Sequence, residues 1–414
     1  MAKKTVLKNG VILVTEKIEA VRSAAIGVWV KSGSVYENDD NNGVSHFIEH
    51  MMFKGTETRT ARQIAEDFDK IGASSNAFTG KEATCYYAKT LSSNIYKGAE
   101  MILDMILNSR FDTEEMDKER QVILEELKMV KDTPDDDVFE TISQIVNKAN
   151  PLGRTILGTP ESLHNVDRNA LTDYYRKRYA RDGIVVAVAG NFDEDKLIDL
   201  FEEQMSPLNK ELPEWEFVNK EYEKSFVTKV KDIEQSHLCL GLPSISSGDK
   251  DYYAYVLMNN ILGGTMSSRL FQNIREQKGL AYSVYSTNVF NTKSGFFNIY
   301  AGVAHDKLKE TVDAIKEELE MLAADGVTEE ELEMAKEQVK STYIFSLENT
   351  NSLMFSLGRN MILLDKLFDV DDYINNYNAV TRNDILRCAG RIGDITKYCG
   401  AAVTGVNVNI EDLI

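Results

Sequence analysis

His46 and His50 stand four residues apart in the stretch His46-Phe47-Ile48-Glu49-His50, and they are two of only five histidines in the chain. On a helix, residues i and i+4 lie about 40° apart around the axis, so both imidazoles can aim at one point. Glu49 sits on the adjacent face, with reach to a water at that point. The rest of the helix is apolar: Val44, Phe47, Ile48, Met51, Met52 and Phe53. A helix apolar nearly all round is a buried helix. Burying two imidazoles and a carboxylate without partners costs several kcal/mol. A metal ion where they converge satisfies all three, and zinc in hydrolases takes three protein ligands and keeps a fourth position open.

The third ligand must come from another element. The helix predicted over 113–131 offers it. Its apolar stripe, read as Met116, Val122, Ile123 and Val130, is interrupted by Glu119 and Glu126, seven residues apart on one face. Carboxylates in an inward stripe want cationic partners. Glu125 lies about 100° off the stripe and is expected to face solvent. His164, His237 and His305 have no such companions and read as structural or exposed.

Those helices need a frame. A chain of 414 residues points to two domains or more. Alternation around Asn9-Gly10 predicts a hairpin, and a strand runs from there toward Gly33. After the histidine helix, a helix closed by Gly72 leads to two strands turning at Thr79 and Gly80. Two long helices follow, the second carrying Glu119 and Glu126. Further on come "DTPDDD", read as a solvated turn and helix start, and the strand "GIVVAVAG" over 183–190. Residues 206–225 are charged and contain two prolines, and they read as a linker.

Beyond the linker the order begins again. The helix closed by Gly279 lies over the one closed by Gly72, and "TEEELEMAKEQV" echoes "TEEMDKERQVIL". The expected architecture is α+β: two homologous α/β-roll domains, 1–205 and 226–414, each an antiparallel-rich sheet packed with helices. The repeat fails at particular places. Where the first copy has His46 to His50, the second has Tyr253 to Leu257. Opposite Glu119 and Glu126 stand Met334 and Ser341. Residues demanded only by the fold would be expected in both copies.

A net charge of -19 argues against nucleic acid or anionic lipid as the main partner. Cys85, Cys239, Cys388 and Cys399 are scattered, with neither a disulfide framework nor a thiolate metal spacing, so a reducing compartment is expected. No segment approaches the ~18 apolar residues of a membrane span, and the first residues lack a signal-peptide run. The expected location is the cytoplasm.

H-x-x-E-H is the inverse of the H-E-x-x-H zinc-protease motif. Joined to "ERQVILEEL" some 70 residues later and to the duplicated unit, it resembles the pitrilysin/insulinase family of zinc peptidases. Within that family the chain is most similar to the branch of the mitochondrial processing peptidase and its bacterial relatives. The resemblance implies one zinc ion per chain, held by His46, His50 and Glu126, with Glu49 as general base. It makes Glu119 a supporting acid that orients a histidine or helps the base. It assigns Arg275 and Tyr282, in "REQKGLAY", to substrate binding and to the tetrahedral intermediate. It makes Asn76, Ala77 and Phe78 an edge strand that receives an extended peptide. The two repeats would form half of a clamshell, so a homodimer that cleaves short or unfolded peptides is expected. The alternative is a non-catalytic scaffold or partner subunit, which the intact motif disfavours.

Overall fold

The computed structural model describes residues 2–414 apart from 206, 207, 209, 210 and 368. The hairpin around Asn9-Gly10 forms, with β1 (Lys3–Val6) and β2 (Ile12–Lys17) pairing antiparallel. Then come β3 (Ser23–Val30), β4 (Ser74–Thr79), β5 (Thr84–Leu91) and β6 (Ile184–Gly190). The six make one sheet in the order β1-β2-β6-β3-β5-β4. A second sheet uses β7 (Phe226–Val230), β8 (Gln235–Ser244), β9 (Ala281–Phe290), β10 (Gly295–Ala304) and β11 (Cys399–Thr404). Its order is β7-β11-β8-β10-β9.

Without β1, the first sheet has the topology of the second. The parallel pair β2–β6 answers the parallel pair β7–β11, and the remaining neighbours are antiparallel in both. The repeat read in the sequence is therefore present in strand order and pairing sense. The helices Ala61–Lys70 and Phe271–Gln277 are both followed by a left-handed glycine, Gly72 at φ 63° and Gly279 at φ 60°. Only glycine adopts that turn without a steric cost.

The units are not the linear halves 1–205 and 226–414. One comprises Met1–Leu127, Arg154–Glu216 and Ile344–Asp369; the other comprises Lys128–Gly153, Phe217–Tyr343 and Val370–Ile414. Each half thus lends one helix to the other half's sheet. The reason is burial. In the first sheet β6 is buried along its whole length, so both faces need a cover. One face packs against a core that includes Phe47, Ile48, Met51 and Met52. The other face, with Trp29, Val185, Ala187 and Ala189, is closed by Leu353, Met354, Leu357 and Met361 of the helix Thr350–Leu364. Likewise Val138, Ile142 and Val146 of the helix Pro134–Val146 cover Cys239, Tyr300, Cys399 and Val403 of the second sheet. Asp137, expected in a solvated turn, is buried there and pairs with Lys229 and Lys231 at 2.6 and 2.7 Å.

The lent helix sits close. A Cβ on Gly358 would stand 1.9 Å from Trp29 Nε1, and one on Gly27 would stand 2.4 Å from Met354 Sδ. Gly358→Ala is expected to destabilise the protein by about 1–3 kcal/mol through overpacking. The measurement is the denaturant midpoint, with the slope of the transition unchanged.

Two further expectations shift. The long helices Thr113–Asp132 and Glu329–Leu347 match one residue out of the register read from the sequence. Asp112 Oδ1 accepts from Glu114 N at the first, and Thr328 Oγ1 accepts from Glu331 N at the second, which pairs Asp112 with Thr328. Burial agrees: Met116 and Glu119 are buried, as are Leu332 and Ala335, whereas Met334 is exposed. The counterpart of Glu119 is Ala335, still not a carboxylate. Of the linker over 206–225, residues 206, 207, 209 and 210 lie outside the described residues; 211–225 form neither helix nor strand.

Candidate metal centre

The helix Val44–Met52 buries Val44, Phe47, Ile48, Met51 and Met52, as a helix apolar on most sides must. Its N-cap is Gly43, which has no side chain to satisfy the first backbone donors. A carboxylate from the preceding loop does so. Glu37 accepts from Gly43 N at 2.7 Å, Ser45 N at 2.8 Å and Asn42 Nδ2 at 2.8 Å. Burial raises the Glu37 pKa, opposed by those hydrogen bonds, so the cap is enclosed rather than solvated. Farther round, the Ser45 hydroxyl lies 3.0 Å from Tyr174 Oη and 3.2 Å from Ser32 Oγ. The helix is anchored at its N-terminal end, next to His46.

His46, His50 and Glu126 come together. Each offers one donor atom, and the three atoms lie within 4.8 Å of one another. Glu126 Oε2 is 3.8 Å from His46 Nε2 and 3.7 Å from His50 Nε2. Ligand atoms about 2.0–2.2 Å from a tetrahedral zinc ion stand roughly 3.3–3.5 Å apart, so the two Glu126 distances exceed that spacing by only a few tenths of an ångström. Burial, with His50 as a lesser cause, pushes the His46 pKa down to about 3. A neutral imidazole keeps the lone pair that a metal requires. His46 Nδ1 is buried with no hydrogen-bond partner among the described residues. The donor set of two imidazoles and one carboxylate fits zinc.

The open side is the Glu126 side. Its side chain is 34% exposed, against 9% for His46 and 21% for His50. Solvent reaches Glu126 more readily than either histidine.

Glu119 stands behind His50. Its Oε2 is 3.0 Å from His50 Nδ1, and its Oε1 is 2.7 Å from Lys54 Nζ. The inward carboxylate thus has its cationic partner in Lys54, and the contact turns Nε2 of His50 toward Glu126. Glu119→Gln is expected to weaken metal binding roughly 10–100-fold, measured by competition with a chromophoric chelator. The stripe around these glutamates differs from the expected one. Met116, Ile123 and Leu127 are buried; Val122 is exposed and Val130 only partly buried. Glu125 is exposed, as expected.

Glu49 projects from the same helix. Its Oε2 accepts a hydrogen bond from Thr79 Oγ1. Burial raises its pKa, and the Thr79 bond and His50 work against that rise. The group is therefore a carboxylate with increased proton affinity beside the donor cluster.

Asn76, Ala77 and Phe78 lie in β4, the terminal strand of the first sheet, which pairs only with β5. Ala77 is part of the core that contains the histidine helix. Phe78 points to the other face. Its ring packs edge-on against Trp29 at 5.5 Å and Phe355 at 5.7 Å. An extended peptide would meet the main chain of β4 rather than these side chains.

Arg275 and Tyr282 belong to the second unit. The structure brings them together, with the guanidinium 5.5 Å from the Tyr282 ring centroid and 4.7 Å from Phe271. Tyr282 is 75% exposed. The segment Phe271–Gln277, expected as an ordinary helix, is wound more widely as a π-helix.

Sequence reasoning passed over Thr79, Glu37 and Lys54. Thr79 stands only at a predicted hairpin turn, and Glu37 lies among polar residues of no evident pattern. The one available signal for Glu37 was a helix start at Gly43, which lacks a capping side chain and needs a donor partner from elsewhere.

Residues 12–160 match the family model described as Insulinase (Peptidase family M16), and residues 165–339 match the one described as Peptidase M16 inactive domain. The chain belongs to the insulinase, or M16, family of peptidases. It is 43% identical to a protein of Bacillus subtilis called an uncharacterized zinc protease, YmxG, covering 92% of this chain and 93% of the relative. A Rickettsia felis protein, also called an uncharacterized zinc protease, is 39% identical over 97% of each chain. Among solved structures, a protease from Helicobacter pylori shares the fold with a TM-score of 0.92, covering 97% of this chain and 99% of that one at 22% identity. The second family model spans Tyr253 to Leu257 and Ala335, which stand opposite His46 to His50 and Glu119.

Proposed function

We propose that the chain is a zinc-dependent endopeptidase that cleaves short or unfolded peptides. The observation that carries this reading is the convergence of His46, His50 and Glu126, with Glu49 beside them. In this reading the first three hold one zinc ion per chain. When bound, the ion supplies Lewis acidity, which makes water easier to deprotonate and polarises a carbonyl. Glu49 takes a proton from the attacking water and hands it to the leaving amine. Glu119 holds His50 by its Nδ1, so that Nε2 stays available as a ligand. The edge of β4 that pairs with no strand among the described residues receives the substrate as an added strand, and main-chain pairing tolerates varied sequence. Arg275 and Tyr282 bind the peptide and stabilise the developing oxyanion.

The reading extends to assembly and place. Two copies form a homodimer, as expected of a chain carrying half a clamshell. The cytoplasm is its compartment, in keeping with four buried free cysteines. No helix among the described residues is long and apolar enough to cross a membrane. An intact donor cluster disfavours the scaffold alternative.

The test uses the full-length protein, stripped with a chelator and then reconstituted with zinc, on a quenched unstructured peptide. Cleavage should be absent in the stripped protein and restored on reconstitution. Equal rates in both states would sink the metal-dependent reading.

A further inference from the structure

Thr79 closes β4, and its hydroxyl donates to Oε2 of Glu49. The hydroxyl belongs to the edge strand; the carboxylate belongs to the histidine helix. No other side chain among the described residues hydrogen-bonds this carboxylate. A glutamate has three side-chain torsions, so a single fixed donor decides where its oxygens stand.

The donor itself is held. Thr79 pairs with Thr84 in the last rung between β4 and β5. Thr84 Oγ1 donates to the Ser32 carbonyl at 3.0 Å and lies 3.5 Å from Thr79 Oγ1. Ser32 Oγ in turn lies 3.2 Å from Ser45 Oγ, back on the histidine helix. The chain of contacts leaves the helix, passes through Ser32, just beyond β3, and the hairpin, and returns to the helix at Glu49.

We propose that Thr79 is a positioning residue for the base: its hydroxyl fixes one oxygen of Glu49 and leaves Oε1 to exchange protons with water and leaving group. This deepens the peptidase reading and rests on Glu49 being the base. Because Thr79 ends the strand assigned to receive the peptide, the same element sets the register of the substrate and the aim of the base. A misplacement of about 1 Å in such a group costs roughly 100-fold in rate. The competing account gives Thr79 no task beyond its β-branched shape in a strand.

Two substitutions separate these accounts. Thr79→Val keeps the branched shape and strand preference but removes the hydroxyl; Thr79→Ser keeps the hydroxyl. The measurements are kcat and KM on a quenched peptide, zinc content, and crystal structures of the wild type and Thr79→Val. Thr79→Val should lower kcat about 10–100-fold, with KM changed by less than about twofold. Its zinc content should equal that of the wild type, and its Glu49 side chain should leave the wild-type position. Thr79→Ser should restore kcat to within about threefold. An unchanged kcat in Thr79→Val, a Ser variant as slow as the Val variant, or an unmoved Glu49 would overturn the proposal. A wild type that binds zinc yet cleaves nothing would instead count against the peptidase reading, and the two crystal structures would still decide whether Thr79 positions Glu49.

Discussion

Glu49→Gln should lower kcat/KM for peptide cleavage by about 100- to 10,000-fold while leaving metal content and fold intact. The substitution changes little apart from proton affinity. The amide has the same shape, and its oxygen can still accept from the Thr79 hydroxyl that now bonds Oε2. The three donor atoms belong to other side chains, His46, His50 and Glu126, so the cluster keeps its ligands. What disappears is a group able to take a proton from water and return it to the amine. Kinetics on a quenched peptide, with zinc determined on the same samples, reads both quantities. Loss of zinc alongside activity would show that Glu49 acts through the metal cluster rather than as a base.

His50→Ala should abolish stoichiometric zinc binding, and activity with it. The change removes one of three donors, and a hydrolytic zinc site needs all three to hold the ion with one position open. It has a second effect. Glu119 loses the ring nitrogen 3.0 Å away and keeps only Lys54, at 2.7 Å. Glu119 is buried, yet Lys54 still compensates its charge, so the fold should survive with a modest loss of stability. Zinc measured after dialysis should fall from one equivalent to background, while circular dichroism stays that of the wild type. Full zinc retention in His50→Ala would remove His50 from the ligand set.

Much of this centre was legible because its signals are local. The i, i+4 spacing of His46 and His50 and the apolar surround of their helix both lie within one short segment. Glu119 shows the same way, as a polar break beside Met116 and Ile123, although Val122 and Val130 do not belong to the buried stripe. Glu119 contacts a histidine as well, through His50 Nδ1. The duplication was legible because chain order repeats, and the two sheets share one strand order.

What was not legible depends on contacts far apart in sequence. A helix pattern shows which face is apolar, not which sheet that face will cover. Thus Pro134–Val146 and Thr350–Leu364 were left with their own halves, although each completes the other half's sheet. β11 is hard to read because Cys399-Gly400-Ala401-Ala402-Val403-Thr404 is buried on both faces and, unlike the valine-rich β6, has few β-branched residues. The one-residue error opposite Glu119 arose from matching identical letters rather than caps. Asp112 and Thr328 do the same task with different side chains. Thr79 carried no signal at all, since a threonine beside a glycine in a hairpin is ordinary until the helix with Glu49 is folded against it.

The most direct measurement is a digest of an unstructured peptide library by the zinc-loaded, full-length protein, read by mass spectrometry. The account predicts internal peptide-bond cleavage products with the wild type and none with Glu49→Gln carrying the same zinc. An intact library after incubation with fully zinc-loaded wild type would contradict it.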